Sequence, residues 1–237
     1  RYGITGRDYT FCERGNGFSL CFEVIKYLFA KKGFMALSTV PLRMYFKTRT
    51  GLMTPDATIS FMPYLTERRK RARVISKRPG LTMSVNVLRP ESRGNIHIKS
   101  SLPHDAPHIN FNFLSSQMDN DTLLLALRKG RELMSAKPIA DYVKEEIAPG
   151  IGLESDEEIL TWVRNTAETT YHPVGTCKMG NDTNAVVGAD LKVHGLDGLR
   201  VADASIMPTL TSGNTNAPSI MIGEKCSEML LETAKLN

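Results

Sequence analysis

Alternation between apolar and polar positions is sharpest between residues 83 and 113. Met83, Val85 and Val87 alternate with Ser84 and Asn86, Ile96 and Ile98 with His97 and Lys99, and Ile109, Phe111 and Phe113 with Asn110 and Asn112. A period of two puts successive side chains on opposite faces of a strand, so three successive half-buried strands are predicted, joined in an antiparallel sheet with one wet face. Residues 90–94 fit the first hairpin loop and residues 104–108 the next turn. Upstream, Ile59 and Phe61 alternate across residues 57–64, and Pro63, which has no N–H for a ladder, predicts an edge strand there.

Helical spacing takes over elsewhere. Leu20, Val24, Tyr27 and Leu28 predict a short amphipathic helix that stops near Lys31-Lys32-Gly33. Residues 119–137 repeat Leu123, Leu124, Leu127 and Met134 on one face, and Pro138 ends them. Ser155-Asp156-Glu157-Glu158 is a capping box, followed by the apolar face of Ile159, Leu160 and Val163. That helix runs toward Tyr171-His172 and is expected to hold them in place. Short strands are expected at residues 186–188, 191–193 and 199–203. A last helix opens at Asn216, with Pro218 in its first turn and Ile222, Cys226, Met229 and Leu230 on its buried side.

Composition narrows the function classes. A chain of 237 residues, 41% hydrophobic and 23% charged, suits one large domain or two small ones. The net charge of +5 permits an acidic partner, but the run Glu67-Arg68-Arg69-Lys70-Arg71-Ala72-Arg73 has no interleaved aromatics for stacking on bases. It is expected to be a solvated loop or helix face, and no nucleic acid is expected. Cys12, Cys21, Cys177 and Cys226 lack zinc spacing and are expected to be reduced, mostly buried thiols. His104 and His108 are four apart, but Pro103 and Pro107 prevent the helix that would aim both at one metal, so none is expected. No apolar run reaches the ~18 residues needed to span a bilayer, and no signal peptide opens the chain. A cytoplasmic location is expected, with peripheral attachment to a membrane left open. The chain opens on Arg1 rather than Met, which suggests a piece of a longer protein. Gly15-Asn16-Gly17 fails as a dinucleotide fingerprint, because Leu20 stands where the third glycine belongs and no strand pattern precedes it.

Hydrolysis needs an activated nucleophile, and neither G-x-S-x-G nor a cysteine beside a helical base is present. Phosphoryl transfer needs a phosphate loop, and G-x-x-x-x-G-K-[ST] is absent. There remain His172 on a turn stiffened by Pro173, Asp203 at a strand end, and Asn216 at a helix N-terminus. Imidazole in general titrates near ~6.5, which suits taking a proton from an alcohol or returning one. An asparagine offers donor and acceptor without charge, and a helix N-terminus presents free N–H groups to an anion. A histidine satisfied by its neighbours is nonetheless the commoner use of such a residue, so the residues alone leave catalysis open.

Three ordered stretches carry a resemblance: Tyr171-His172-Pro173-Val174-Gly175-Thr176-Cys177-Lys178-Met179-Gly180, the run from Val193 to Pro208, and Gly213-Asn214-Thr215-Asn216-Ala217-Pro218-Ser219-Ile220-Met221-Ile222-Gly223-Glu224-Lys225. They resemble the C-terminal signature of the glucose-methanol-choline (GMC) flavoprotein oxidoreductases, and Leu88-Arg89-Pro90-Glu91-Ser92-Arg93-Gly94 is similar to a strand-loop element of that family's substrate domain. The chain looks most like the choline dehydrogenase and acceptor-linked aliphatic alcohol dehydrogenase branch.

The resemblance implies an α+β fold, with an antiparallel sheet and flanking helices forming a substrate-binding domain over residues 1–169. Residues 170–237 are implied to be the C-terminal segment of a Rossmann-type FAD domain whose main part is absent. It implies FAD as cofactor and a primary alcohol, of choline or aliphatic type, as substrate, oxidised to the aldehyde as hydride passes to the flavin. His172 and Asn216 are implied to be catalytic, the first as base and the second facing the same substrate oxygen. Tyr171, Asp203, Ala204, Asn216, Ala217 and Pro218 are implied to contact the cofactor. Quinone or oxygen is implied as electron acceptor, and an N-terminal FAD-binding half as the missing partner, without which the isolated chain is expected to be inactive. Two other readings are a non-catalytic truncated module and a hydroxynitrile lyase on the same scaffold.

Overall fold

In the computed structural model the described residues are 1–5, 10–15, 17–69 and 72–235. In chain order the elements are β1 (Tyr2–Ile4), α1 (Phe11–Arg14), α2 (Gly17–Ala30), β2 (Leu42–Phe46), β3 (Ala57–Met62), β4 (Thr66–Arg69), β5 (Ala72–Ile75), β6 (Gly80–Val87), β7 (Asn95–His97), β8 (His108–Asn110), α3 (Gln117–Ser135), β9 (Val143–Glu146), α4 (Asp156–Thr166) and α5 (Asn216–Lys235). They fall into two units, Arg1–Val87 with Asn120–Thr166, and Leu88–Asp119 with Ala167–Asn237.

The first unit is built on a five-stranded antiparallel sheet in the order β2-β3-β6-β1-β9. Ile59 of β3 lies opposite Met44 on one side and Val85 on the other, and it is fully buried. β3 is therefore an interior strand and not the expected edge. Pro63 stands one residue past the end of the strand, where it removes no ladder donor. Helix α3 buries Leu124, Ala126, Leu127 and Met134. It is tied to β9 by Arg131, whose Nη2 lies 3.0 Å from Glu146 Oε1. The capping box of α4 forms as expected, with Ser155 N–H donating to Glu158 Oε2 at 3.1 Å and Glu158 N–H to Ser155 Oγ at 3.3 Å.

Two further expectations change in this unit. Of the predicted face of α2, Leu20, Val24 and Tyr27 are half-buried, but Leu28 is exposed along with Phe18, Phe22, Ile25 and Phe29. The buried residue is Glu23, which accepts from Phe34 N–H at 3.3 Å. The basic run is a β-hairpin rather than a loop or helix face, with Thr66 opposite Ile75 and Glu67 opposite Val74. The run lacks the apolar alternation that marks a strand, so the local signal was weak; Lys70 and Arg71 lie outside the described residues. Asn16 of the rejected glycine motif also lies outside them.

The predicted three-strand sheet does not form. β6 pairs with β3 and β1, while β7 and β8 make a separate two-stranded ribbon in the second unit. Ile96 and Ile109 of that ribbon are exposed, and the 90–94 link joins strands that do not pair. Phe111 and Phe113 lie beyond β8, their rings stacked at 5.0 Å. Asn112 and Leu114 adopt left-handed backbone, at φ 50° and 60°, which ends the extended run the alternation implied.

In the second unit the core is Val187, Leu191, Ile206, Met207, Ile222 and Cys226. The chain around it forms isolated bridges, Met179 with Val187, Val187 with Val193 and Lys192 with Arg200, in place of the three short strands expected. Residues 88–119 group here rather than with residues 1–87: Arg89 Nη2 donates to Ser212 Oγ at 2.8 Å, and Asp119 accepts from Glu91 and Ser92 N–H at 2.8 and 3.0 Å. The sequence-based division at 169/170 had placed that stretch in the first part.

The four cysteines are free: Cys12 and Cys226 are buried, Cys177 is half-buried and Cys21 is exposed. Among the described residues no His, Cys, Asp and Glu cluster could hold a metal ion, and no helix is long and apolar enough to cross a membrane.

Candidate active site

The site is organised by a left-handed turn. Tyr171 has φ 61°, and its N–H donates to Thr169 Oγ1 at 3.0 Å, leaving its ring exposed and His172 half-buried. Gly175 follows with φ 91°, a conformation that costs a side-chain residue. A Cβ there would make only an ordinary contact, 3.4 Å from Met207 O, so the backbone conformation rather than space favours glycine. The chain then runs beside the 204–206 turn, where Cys177 N–H donates to Ser205 O at 3.0 Å and Met179 N–H to Ile206 O at 2.8 Å.

Asp203 caps that turn, its Oδ1 accepting from Ser205 N–H at 2.7 Å. The Ser205 hydroxyl, with its N–H, holds the Asp203 carboxyl below the usual carboxylate range. The carboxylate is thus engaged locally. Ala204 is half-buried against the core.

Helix α5 supplies the other wall. Thr215 precedes its first residue, and the Thr215 carbonyl accepts from Ser219 N–H at 3.0 Å, the first bond of the helix. The Thr215 side chain is buried, and its Oγ1 lies 2.9 Å from His172 Nδ1. An N-cap hydroxyl ordinarily accepts from the second or third N–H of its helix. Here the third residue is Pro218, which has none, and the hydroxyl is engaged with the imidazole instead. Asn216 and Ala217 are exposed in the first turn and Pro218 is half-buried.

The structure therefore brings His172 to the start of α5, next to Thr215, and sets the 203–204 cap against the chain that follows His172. Sequence reasoning missed Thr215. A threonine cap three residues before a proline was the available signal. The expectation that α4 holds Tyr171-His172 is not met, because α4 ends at Thr166 in the first unit and both residues belong to the second. His194, a second histidine of the motif region, donates from Nε2 to Gly180 O at 3.0 Å and serves the loop.

Solved structures share this architecture. Pyridoxine 4-oxidase from Mesorbium loti aligns with a TM-score of 0.69 at 27% identity, over 78% of this chain and 36% of that one. A formate oxidase of Aspergillus oryzae RIB40, studied for its FAD modification, aligns over 99% of this chain and 45% of that one with a TM-score of 0.82, at 22% identity. The chain thus has the fold of part of each of these two oxidases.

More narrowly, the chain belongs to the GMC oxidoreductase family, whose profile matches residues 90–223. It is 40% identical to "Alcohol dehydrogenase [acceptor]" of Pseudomonas putida over 208 residues, 88% of this chain. It is also 40% identical to an "Oxygen-dependent choline dehydrogenase" of Escherichia coli O45:K1 over 205 residues. The chain spans about 37% of the length of these relatives.

FAD is the cofactor this family implies, and the residues fit it. The N–H groups of Asn216 and Ala217 lie at the positive end of the 20-residue helix α5. With Thr215 turned to the imidazole, they are free of a side-chain cap among the described residues, and they suit the electron-rich edge of a flavin ring.

Proposed function

We propose that the protein to which this chain belongs oxidises a primary alcohol, of choline or aliphatic type, to the aldehyde. The observation that carries the reading is His172 at the start of α5: its Nδ1 is engaged by buried Thr215, and its Nε2 has no hydrogen-bond partner among the described residues. A half-buried imidazole with one nitrogen held and the other open is placed to take a hydroxyl proton.

Bound FAD supplies a two-electron acceptor. Tyr171, Asp203, Ala204, Asn216, Ala217 and Pro218 would hold it, Asn216 and Ala217 through the N–H groups of the first turn of α5. The Asn216 amide orients the substrate oxygen, and His172 Nε2 receives its proton. The names of the alcohol and choline dehydrogenase relatives support the substrate class. In this reading residues 1–169 shape the substrate site, with 88–119 lying against the C-terminal segment, and residues 170–237 complete the FAD site. Quinone or oxygen would serve as the electron acceptor.

The test is anaerobic reduction of the full-length flavoprotein by primary alcohols. His172→Ala is expected to keep its FAD and slow bleaching by about 10²- to 10⁴-fold, the usual contribution of a positioned base. Bleaching at the wild-type rate refutes the role.

A further inference from the structure

We infer that Thr215 is a positioning residue that selects the working tautomer of His172, an inference that rests on the proton-accepting role just proposed. Neutral imidazole carries one proton on either nitrogen, and only the bare nitrogen accepts another. For Nε2 to take a hydroxyl proton, the ring proton must sit on Nδ1, and Nδ1–H needs an acceptor. The Thr215 hydroxyl oxygen, 2.9 Å away, supplies it.

Three features make this more than a chance contact. Thr215 is 8% exposed, so water competes poorly for its hydroxyl. Its backbone is fixed by the first bond of α5 and by Ser219 Oγ, which donates to Thr215 O at 2.7 Å. The proline at the third helix position removes one of the two N–H groups that would otherwise claim the hydroxyl, and no helix N–H donates to it among the described residues. The residue that starts the helix is thereby turned toward a ring 43 positions earlier in the chain.

In the proton transfer the substrate O–H bond breaks, its electron pair stays on oxygen, and the proton forms a bond to Nε2. The imidazole becomes imidazolium, and Nδ1–H continues to donate to Thr215 Oγ1. The opposite arrangement, with Thr215 O–H donating to a bare Nδ1, would leave the proton on Nε2 and block the transfer.

The test has two arms on the full-length flavoprotein. The first is ¹⁵N NMR of histidine-labelled wild-type protein, which needs no variant: the Nδ1–H tautomer is expected for His172, and the Nε2–H tautomer overturns the inference. The second compares Thr215→Val, which keeps shape and loses the hydroxyl, with Thr215→Ser, which keeps the hydroxyl. Valine is expected to lower the flavin reduction rate about 10- to 100-fold, the cost of one hydrogen bond to a group that becomes charged, with substrate KM and FAD content little changed. Serine is expected to restore it to within about 3-fold.

In a His172→Ala background the valine substitution should have no further effect, as expected if Thr215 acts only through His172. A merely structural role would persist there and overturns the inference. If His172→Ala abolishes reduction while Thr215→Val does not slow it, the inference fails and the proton-accepting role stands. If neither changes the rate, both fail. Should Thr215→Val not retain FAD, the tautomer measurement and the serine variant decide.

Discussion

Glu145 and Glu146 are neighbours on β9 and each pairs with an arginine, yet replacing them should have very different consequences. The Glu146 side chain is 6% exposed and Arg131 is 24% exposed. Arg131 Nε and Nη2 reach Glu146 at 3.1 and 3.0 Å, and Gly150 N–H donates to its Oε1 at 3.2 Å. Tyr2 adds to the cluster: burial, with the Glu146 charge, pushes its hydroxyl up to about 12, so it stays protonated and bonds to Glu146. Arg131 meanwhile donates to the carbonyls of Leu153 at 2.9 Å and Gly150 at 3.0 Å, and so cannot swing away without losing both. Glu146→Gln keeps the shape but turns amide protons or a weaker acceptor toward a guanidinium.

Breaking a fully buried pair costs about 3–5 kcal/mol. Because Arg131 is a quarter exposed, we expect about 2–3 kcal/mol. The neighbouring pair of Glu145 with Arg78 is 46% and 49% exposed, and Glu145→Gln should cost less than about 1 kcal/mol despite its close approach. Urea unfolding followed by circular dichroism reads both. With a slope of about 2–3 kcal/mol/M, the midpoint should fall by about 1 M for Glu146→Gln and by much less for Glu145→Gln. Equal shifts would refute the argument that burial, not ion pairing as such, sets the magnitude.

Two further substitutions test the second unit. A Cβ on Gly94 would overlap the Asn110 carbonyl and the Phe111 backbone, so Gly94→Ala should destabilise the β7–β8 ribbon by about 2 kcal/mol or more, read as faster amide hydrogen exchange across that ribbon. The Asp203 carboxyl is held below its usual range in the folded chain, so the unfolded chain takes up the proton first as pH falls. Its contribution is present above the unfolded value of about 3.9, declines below it, and is lost once pH passes through the lowered folded value. Asp203→Asn should flatten the dependence of the unfolding midpoint on pH over that acid range while leaving neutral stability within about 0.5 kcal/mol, since asparagine caps equally well.

Much of the candidate site was legible as residues and little of it as geometry. His172, Asn216 and Asp203 stand out because few other polar groups sit at constrained turns or helix starts. Thr215 went unassigned because its role depends on a partner 43 residues away and on a hydroxyl freed by Pro218. The expected support from α4 failed for a related reason: adjacency in sequence does not carry a helix across the break at Thr166.

Helix extents came through well, because a 3.6-residue period, a capping box and a terminating proline are local signals that act within a turn or two. The 83–113 alternation was equally local and described each stretch's tendency to extend, but a period of two says nothing about the partner. β6 pairs with β1 and β3, and β7 with β8, and these partners lie outside the stretch that carries each alternation. The sequence by itself determined the helices, the chemistry available at the turn and the family. Only the tertiary structure decided the strand partners, the place of residues 88–119 and the hydroxyl that meets the histidine, since each depends on contacts between residues remote in the chain.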